Sequence, residues 1–312
     1  MTRPSGRTRT RRRLVGVCLL VALLAAACGS SDRSSSSRAP RNGIVVGSFN
    51  FPESELLADI YAGALRARGY RVFTETDLGP REIVDPALSR GLLDIVPEYS
   101  GSALVFFSLG MVRGNSDPQA AHQDLVRILA PRGLVPLAPA PAQDANAVVV
   151  TQQTAATYGL RAVSDLGRVA GKLAFGGPPE CSIRPLCLLG LARVYGLHFR
   201  EVVPLDTGGP LTLQALLARE IEVGLVFSTD PAIAQNHLVV LADDRGLQPA
   251  ENVVPVLRRP VAARYGAALE ELIDTVSARL GTEALRELNA QVASGERPRA
   301  VATRWLAAQG LT

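Results

Sequence analysis

The groups in this 312-residue chain that could do chemistry are three histidines, four cysteines and scattered serines and acids, and their spacing suits gripping a ligand better than transforming one. His122, His198 and His237 stand far apart and none falls in a His-Glu-x-x-His spacing, so neither a zinc site nor a histidine base is implied. No Gly-x-Ser-x-Gly elbow appears, which removes the usual signature of an esterase. Gly167-Arg168-Val169-Ala170-Gly171-Lys172-Leu173 comes near a phosphate loop but lacks one spacer residue, and Leu173 stands where a hydroxyl would meet magnesium. Asp243-Asp244 has no third carboxylate at a metal-loop spacing and reads as a solvated turn. No cofactor and no metal are expected.

One repetition points to a site. Ala87-Leu88 leads to Leu93-Asp94-Ile95 and then Tyr99-Ser100, and Ala215-Leu216 leads at the same offsets to Ile221-Glu222-Val223 and then Phe227-Ser228. A helix, a turn and a strand that delivers a ring and a hydroxyl, once in each half, is what a cleft between two similar α/β lobes requires. Ligands of open α/β sheets bind beyond the carboxyl ends of the strands.

The elements that must hold these residues alternate. Ile44–Val46, Val72–Thr74, Asp94–Val96, Val148–Val150, Leu173–Phe175 and Val223–Phe227 read as strands. Between them come helical spacings from Leu56 to Leu65, from Pro80 through Arg90, from Leu186 to Tyr195 and from Leu211 to Arg219. The chain ends in helices, one with the stripe Leu269, Leu272, Ile273, Val276 and Leu280, another framed by Pro298 and Gly310. The expected fold class is α/β, with a mainly parallel sheet covered by helices. With 47% hydrophobic residues the chain is not disordered, and its length suits one large or two medium domains.

The N-terminus sets the compartment. Six arginines precede Leu14, and the uncharged run Leu14 to Ala27 is too short to span a bilayer but suits the apolar core of a signal peptide. Removing those six from the formal charge of +4 leaves −2, so nothing electrostatic favours nucleic acid. Leu24-Ala25-Ala26-Ala27-Cys28-Gly29 resembles a bacterial lipobox, which implies residues 1–27 as signal peptide and Cys28 as the lipidated first mature residue. Residues 28–41 are almost free of apolar side chains and read as a tether; the export route, general secretory or twin-arginine, stays open. Cys181 and Cys187 then remain in an oxidising compartment, where a local disulfide is the simplest reading.

An ordered set of short stretches resembles the substrate-binding proteins of ABC importers for glycine betaine, choline, carnitine and related osmoprotectants. They are Gly47-Ser48-Phe49-Asn50-Phe51-Pro52-Glu53-Ser54, Gly79-Pro80-Arg81-Glu82-Ile83, Pro97-Glu98-Tyr99-Ser100-Gly101-Ser102-Ala103-Leu104, Gly176-Gly177-Pro178-Pro179-Glu180-Cys181 and Phe227-Ser228-Thr229-Asp230, within a span from Ile44 to Leu311. The resemblance implies a two-lobed, type II periplasmic-binding-protein fold with a hinge and an inter-lobe ligand cleft. Lobe 1 would take residues 42–143 and 250–312, and lobe 2 residues 144–249. The implied partners are a small-molecule solute, an ABC permease and its ATPase, with the membrane reached through the lipid anchor alone. A monomer on the extracytoplasmic face of the cell membrane is the expectation.

A quaternary ammonium donates no hydrogen bond, so it must be held by ring faces, each contributing about 0.5–2 kcal/mol when desolvated. By the resemblance, Tyr99 stands at a cage tyrosine, Phe227 where a tyrosine is common, and Ser102 at a hydroxyl for the ligand's polar end. Asn146 and Glu251 fall near two further cage positions without being aromatic, so the cage reads as incomplete; Ser54 and Thr229 complete the candidate set. The residues leave plainer roles open: Tyr99 in the core, Glu251 as a solvated loop acid, Ser54 and Asn50 capping the helix near Pro52. Two rivals accompany the reading, a non-transport binding lipoprotein acting with a sensor, and a hydrolase using Ser100, Ser102 or Ser228.

Overall fold

The computed structural model describes residues 43–312 together with Thr2, so the signal peptide, Cys28 and the tether lie outside the described residues. β-Branched runs make the strands of two five-stranded sheets. The first has the order β2-β1-β3-β10-β4, with β1 Ile44–Gly47, β2 Val72–Glu75, β3 Ile95–Tyr99, β4 Leu134–Pro136 and β10 Val253–Arg258. The second has the order β7-β6-β8-β5-β9, with β5 Asn146–Val150, β6 Ala174–Gly177, β7 Glu201–Pro204, β8 Val223–Phe227 and β9 Val239–Val240. In each sheet four strands point one way and the fourth in order runs against them, β10 in the first and β5 in the second. Each sheet is therefore mixed, two of its pairings parallel and two antiparallel, where the sequence suggested one mainly parallel sheet.

Helix α1 (Pro52–Ala67) follows β1 with Pro52 in its first turn and buries Leu56, Leu57, Ile60, Tyr61, Ala64 and Leu65. The C-terminal helices pack on it so closely that a Cβ at Gly63 would lie 2.6 Å from Leu306 Cδ1. Helix α2 (Arg81–Ser89) leads into β3, and α3 (Ser100–Phe107) leaves it directly. The core of the first sheet joins Ile44, Leu56, Tyr61, Val96, Val256 and Trp305, while that of the second gathers around Phe175, Leu191, Val223 and Leu241.

The sequence repetition is a structural one. The helix Pro210–Ala218 stands to β8 as α2 stands to β3, and the turn between has the same bond in both, Leu92 N–H to Ala87 O and Glu220 N–H to Ala215 O, each 2.9 Å. Asp94 and Glu222 then each accept a backbone N–H from the neighbouring strand, Val45 at 2.9 Å and Ala174 at 2.6 Å. In consequence Tyr99 ends β3 opposite Val253, and Phe227 ends β8 opposite Asn146.

Two crossover segments join the halves and bind one another. Gln143 and Asn252 form an antiparallel bridge, and Asp144 N–H reaches Glu251 O at 3.0 Å. Each crossover is clamped by the serine that follows the repeated ring. Ser100 Oγ accepts Asn252 N–H at 3.1 Å and donates to Ala250 O; Ser228 Oγ accepts Ala145 N–H at 3.0 Å and donates to Asp144 Oδ1.

Three elements differ from expectation for physical reasons. The strand ending expected at Val96 runs on to Tyr99 through Pro97, and β10, absent from the sequence reading, contains Pro255; these prolines face each other across the ladder. A proline has no N–H, so the pair fits a position of the ladder where no N–H is exchanged, and both strands continue. The helix expected from Leu186 to Tyr195 is only a single turn, Leu188–Gly190, and a π-turn, Leu191–Tyr195. It follows the Cys181–Cys187 disulfide, and the chain is so tight there that a Cβ at Gly190 would stand 2.2 Å from Pro185 O.

Gly101 in α3 is equally close to the second crossover: a Cβ there would lie 2.2 Å from Pro249 Cγ and 2.9 Å from Ala250 O. Gly101→Ala should therefore destabilise the protein by about 1–3 kcal/mol, although alanine is the better helix former. A denaturant midpoint equal to or above that of the native protein would contradict this packing.

Candidate functional site

The strand ends described above meet in a cleft of about 770 Å³ that opens to solvent. From the first sheet it takes Phe49, Phe51, Arg81, Tyr99, Ser102 and Phe106; from the second, Asn146, Glu180, Arg184, Thr207 and Phe227. Asp144 and Glu251, paired through the crossovers, lie in its wall.

Rings dominate the wall. Phe49 and Phe51 stack at 6.0 Å between centroids, Tyr99 lies 6.0 Å from Phe51, and Phe227 approaches Phe51 from the other half at 4.9 Å. Phe49 and Phe51 lie two apart in the short segment between β1 and α1, and their rings are nearly parallel, 8° apart. The expected cage counted Tyr99 and Phe227 alone. Asn146 and Glu251 indeed bring no ring, but Phe49, Phe51 and Phe106 supply three that the sequence reading did not assign to the site. Two aromatics spaced by two before a Pro-Glu helix start were the available signal.

The other candidates are placed as follows. Ser102 gives both its N–H, at 3.0 Å, and its hydroxyl, at 2.7 Å, to the Glu251 carboxylate. Glu251 is 2% exposed, which overturns its reading as a solvated loop acid. Asn146 keeps its amide in the wall by donating to Leu186 O at 3.1 Å and Gln248 Oε1 at 3.3 Å. Ser54 is fully buried and takes Phe49 N–H at 2.9 Å, so it positions a ring and does not line the cleft. It does not cap α1 either: the cap residue is Phe51, without a side-chain bond. Thr229 faces a second depression behind the Phe51–Phe227 pair, with Glu53, Asp230 and Asn289. The serines of the hydrolase rival are engaged with oxygen acceptors, Ser100 with Ala250 O, Ser102 with Glu251 and Ser228 with Asp144.

The cations of the wall already have partners. Arg81 forks onto Glu98 at 3.0 and 2.9 Å and lies 4.9 Å from the centre of the Phe49 ring. Burial works against its charge, but Glu98 outweighs that and holds it protonated. Arg184, from the disulfide loop, reaches across the mouth to Glu82 of α2 at 3.2 and 2.8 Å and to Glu180 at 3.5 Å. Burial raises the Glu82 carboxyl, yet the bond and charge of Arg184 leave it below its ordinary value.

The acids are less well provided. Burial pushes the Glu251 carboxyl up to about 7, against the two Ser102 bonds and the charge of Arg81. Burial, and then repulsion by Glu53, raises Asp144 well above the usual carboxylate range, against its bonds from Thr229 and Ser228. Glu53 is raised by burial against bonds from Thr229, Tyr99 and Asn289. Among the described residues no group of three or more His, Cys, Asp or Glu side chains is arranged to hold a metal ion.

Two α/β lobes, each with one reversed strand delivered by a crossover and a ring-lined cleft between them, define the type II periplasmic-binding-protein class. Residues 42–308 match the family model described as the substrate binding domain of an ABC-type glycine betaine transport system, and the chain belongs to that family. It is 31% identical over 258 residues to a glycine-betaine-binding protein of Pseudomonas aeruginosa, covering 79% of this chain and 81% of the relative. It is 27% identical over 279 residues to the glycine betaine-binding protein YehZ of Escherichia coli, covering 86% and 91%. A crystal structure of a glycine betaine/carnitine/choline ABC transporter protein shares the fold, with a TM-score of 0.68 at 23% identity over 86% of this chain and 99% of that one.

The Glu251 shift fixes a stability profile. Below its ordinary value near 4.5 the carboxyl is neutral in both folded and unfolded chains and costs nothing. As pH rises through about 7 the folded protein loses stability until the full penalty, about 3 kcal/mol, is reached. Glu251→Gln should remove that slope, so the variant should gain on the native protein between pH 5 and pH 8. Parallel denaturation midpoints across this range would rule out a buried, raised Glu251.

Proposed function

We propose that this chain is the solute-binding protein of an ABC importer for small quaternary amines, tethered through lipid on Cys28 to the extracytoplasmic face of the membrane. It would act as a monomer, without catalysis, handing its ligand to the permease whose ATPase drives uptake. Lobe 1 is assigned to residues 42–143 and 250–312 and lobe 2 to residues 144–249, with the paired crossovers as hinge. Among the described residues no helix is long and apolar enough to cross a membrane, which agrees with a lipid tether. The observation that carries the reading is the ring wall: Phe49, Phe51, Tyr99 and Phe106 from one half and Phe227 from the other, with buried Asp144 and Glu251 between.

The charge pattern indicates which amine fits. Arg81 and Arg184 are already matched by Glu98 and Glu82, whereas Asp144 and Glu251 have no ion pair. A trimethylammonium gains from the rings and both acids; a ligand carboxylate finds no arginine in the wall that is not already held by an acid. Choline-like cations should therefore bind more tightly than glycine betaine or carnitine, and the cation must fit among five rings of the wall.

Calorimetric titration with choline, glycine betaine, carnitine, proline betaine and unrelated sugars tests this directly. Sub-millimolar binding confined to the quaternary amines is expected; binding of sugars alone would sink the reading. Phe51→Ala and Tyr99→Ala should each weaken the best ligand about tenfold or more, the equivalent of one desolvated ring. Unchanged affinity in both would remove the cage. Glu251→Gln should weaken choline more than glycine betaine, and equal loss for both would argue against charge pairing.

A further inference from the structure

Behind the rings lies a polar cluster that solute binding alone does not explain. Glu53, at the start of α1, is 5% exposed, and its carboxylate is fully engaged. Tyr99 OH donates to Oε1 at 2.7 Å; Thr229 Oγ1 and Asn289 Nδ2 both donate to Oε2 at 2.5 Å. Asp144, 4% exposed, accepts Thr229 N–H at 3.0 Å and the Ser228 hydroxyl at 3.1 Å, both on Oδ1. Its Oδ2 is buried and has no ordinary donor, although Asp144 lines the cleft. Thr229 thus bridges the two acids, its hydroxyl on Glu53 and its N–H on Asp144.

Two carboxylates buried this close, joined through one threonine, repel each other when both are ionised, and an ionised Asp144 Oδ2 is left without a donor. The surroundings supply no countercharge. Tyr99, Thr229, Ser228 and Asn289 are neutral, Asp230 and Glu251 add negative charge, and Arg81 is held by Glu98. Arg286 is paired with Glu283 at 3.4 Å and touches this cluster only at Ser228 O, at 3.5 Å. A proton between Glu53 and Asp144 fills the vacancy at Asp144 Oδ2 and halves the buried charge.

We propose that Glu53 and Asp144 share one proton while the cleft is empty, and that a cation seated against the rings displaces it. In balance, the singly protonated pair and the cation give the doubly ionised pair with its cation, and one proton passes to solvent. This rests on the quaternary-amine reading and adds to it that uptake is linked to pH. Since binding releases a proton, affinity for a cation rises with pH, up to tenfold per unit, until the empty pair is itself ionised.

Titrating the protein with choline chloride in buffers of different ionisation heat, such as phosphate and Tris at pH 6.5, counts that proton. The observed heat should vary linearly with the buffer's ionisation heat, with a slope near one proton released. Glu251 also titrates near this pH, so two variants apportion the release. It should persist in Glu251→Gln and fall by about one proton in Asp144→Asn, whose amide oxygen can still accept Thr229 N–H. Zero slope with intact choline binding overturns the proposal and leaves the amine site standing, as does release that vanishes in Glu251→Gln. Failure of the native protein to bind either choline or glycine betaine overturns both. Should Asp144→Asn not fold, Glu53→Gln and the native pH profile decide: a profile flat from pH 5 to 8 refutes the proposal.

Discussion

Carboxylates buried without a cation of their own are the constraint around which this molecule is arranged. Asp144 and Glu251 come together because the two crossovers pair, Asp144 N–H on Glu251 O, so any path between the halves brings both acids to the cleft. Burying an unpaired carboxylate costs several kcal/mol, and donors relieve only part of it. The fold supplies those donors from its most rigid parts, the first turn of α3 for Glu251 and the residues after β8 for Asp144. What remains is a deficit that a cation removes and a neutral solute does not. Rings alone would admit any flat or apolar guest; on the proposed function, the unmatched acids beside them are what select for positive charge.

The same constraint explains what could be read from the chain. The fold class was legible because helices and strands alternate with clear periods, and because a helix, turn and strand occur twice with the same spacing. Tyr99 and Phe227 were legible as the ends of those units. Glu251 and Asn146 were reachable only through likeness to a family, since neither has a local pattern. Phe49 and Phe51 were visible in the sequence, but their role depends on the short segment between β1 and α1, which stacks Phe49 on Phe51 and brings Phe51 against Tyr99 and Phe227, far along the chain. Asp144 and Glu53 were not legible. A lone acid before a strand and a first-turn glutamate are ordinary surface features; the crossover pairing holds Asp144, and Tyr99, Thr229 and Asn289, distant in the chain, close over Glu53. Pro97 and Pro255 hid their strands for a related reason: each argues against a central strand alone, and only their mutual facing makes both acceptable.

Strength of closure can be argued from where the contacts between the halves lie. At the mouth, Arg184 and Glu82 form a forked ion pair, but both side chains are partly exposed, at 25% and 33%. Such a pair contributes about 0–1 kcal/mol and weakens with salt. At the base, Thr229 is held by Glu53 and Asp144, and Ser100 and Ser228 clamp the two crossovers, the segments proposed above as the hinge. Between mouth and base stands the ring wall, where Phe51 and Phe227 meet from opposite halves. A cation there gains about 0.5–2 kcal/mol from each ring it covers, and it gains from both halves only when they are together. A ligand shifts a two-state equilibrium only by its difference in affinity for the states, and the wall is the one place where that difference is large. The ion pair at the mouth can trim the closed population; the guest among the rings sets it.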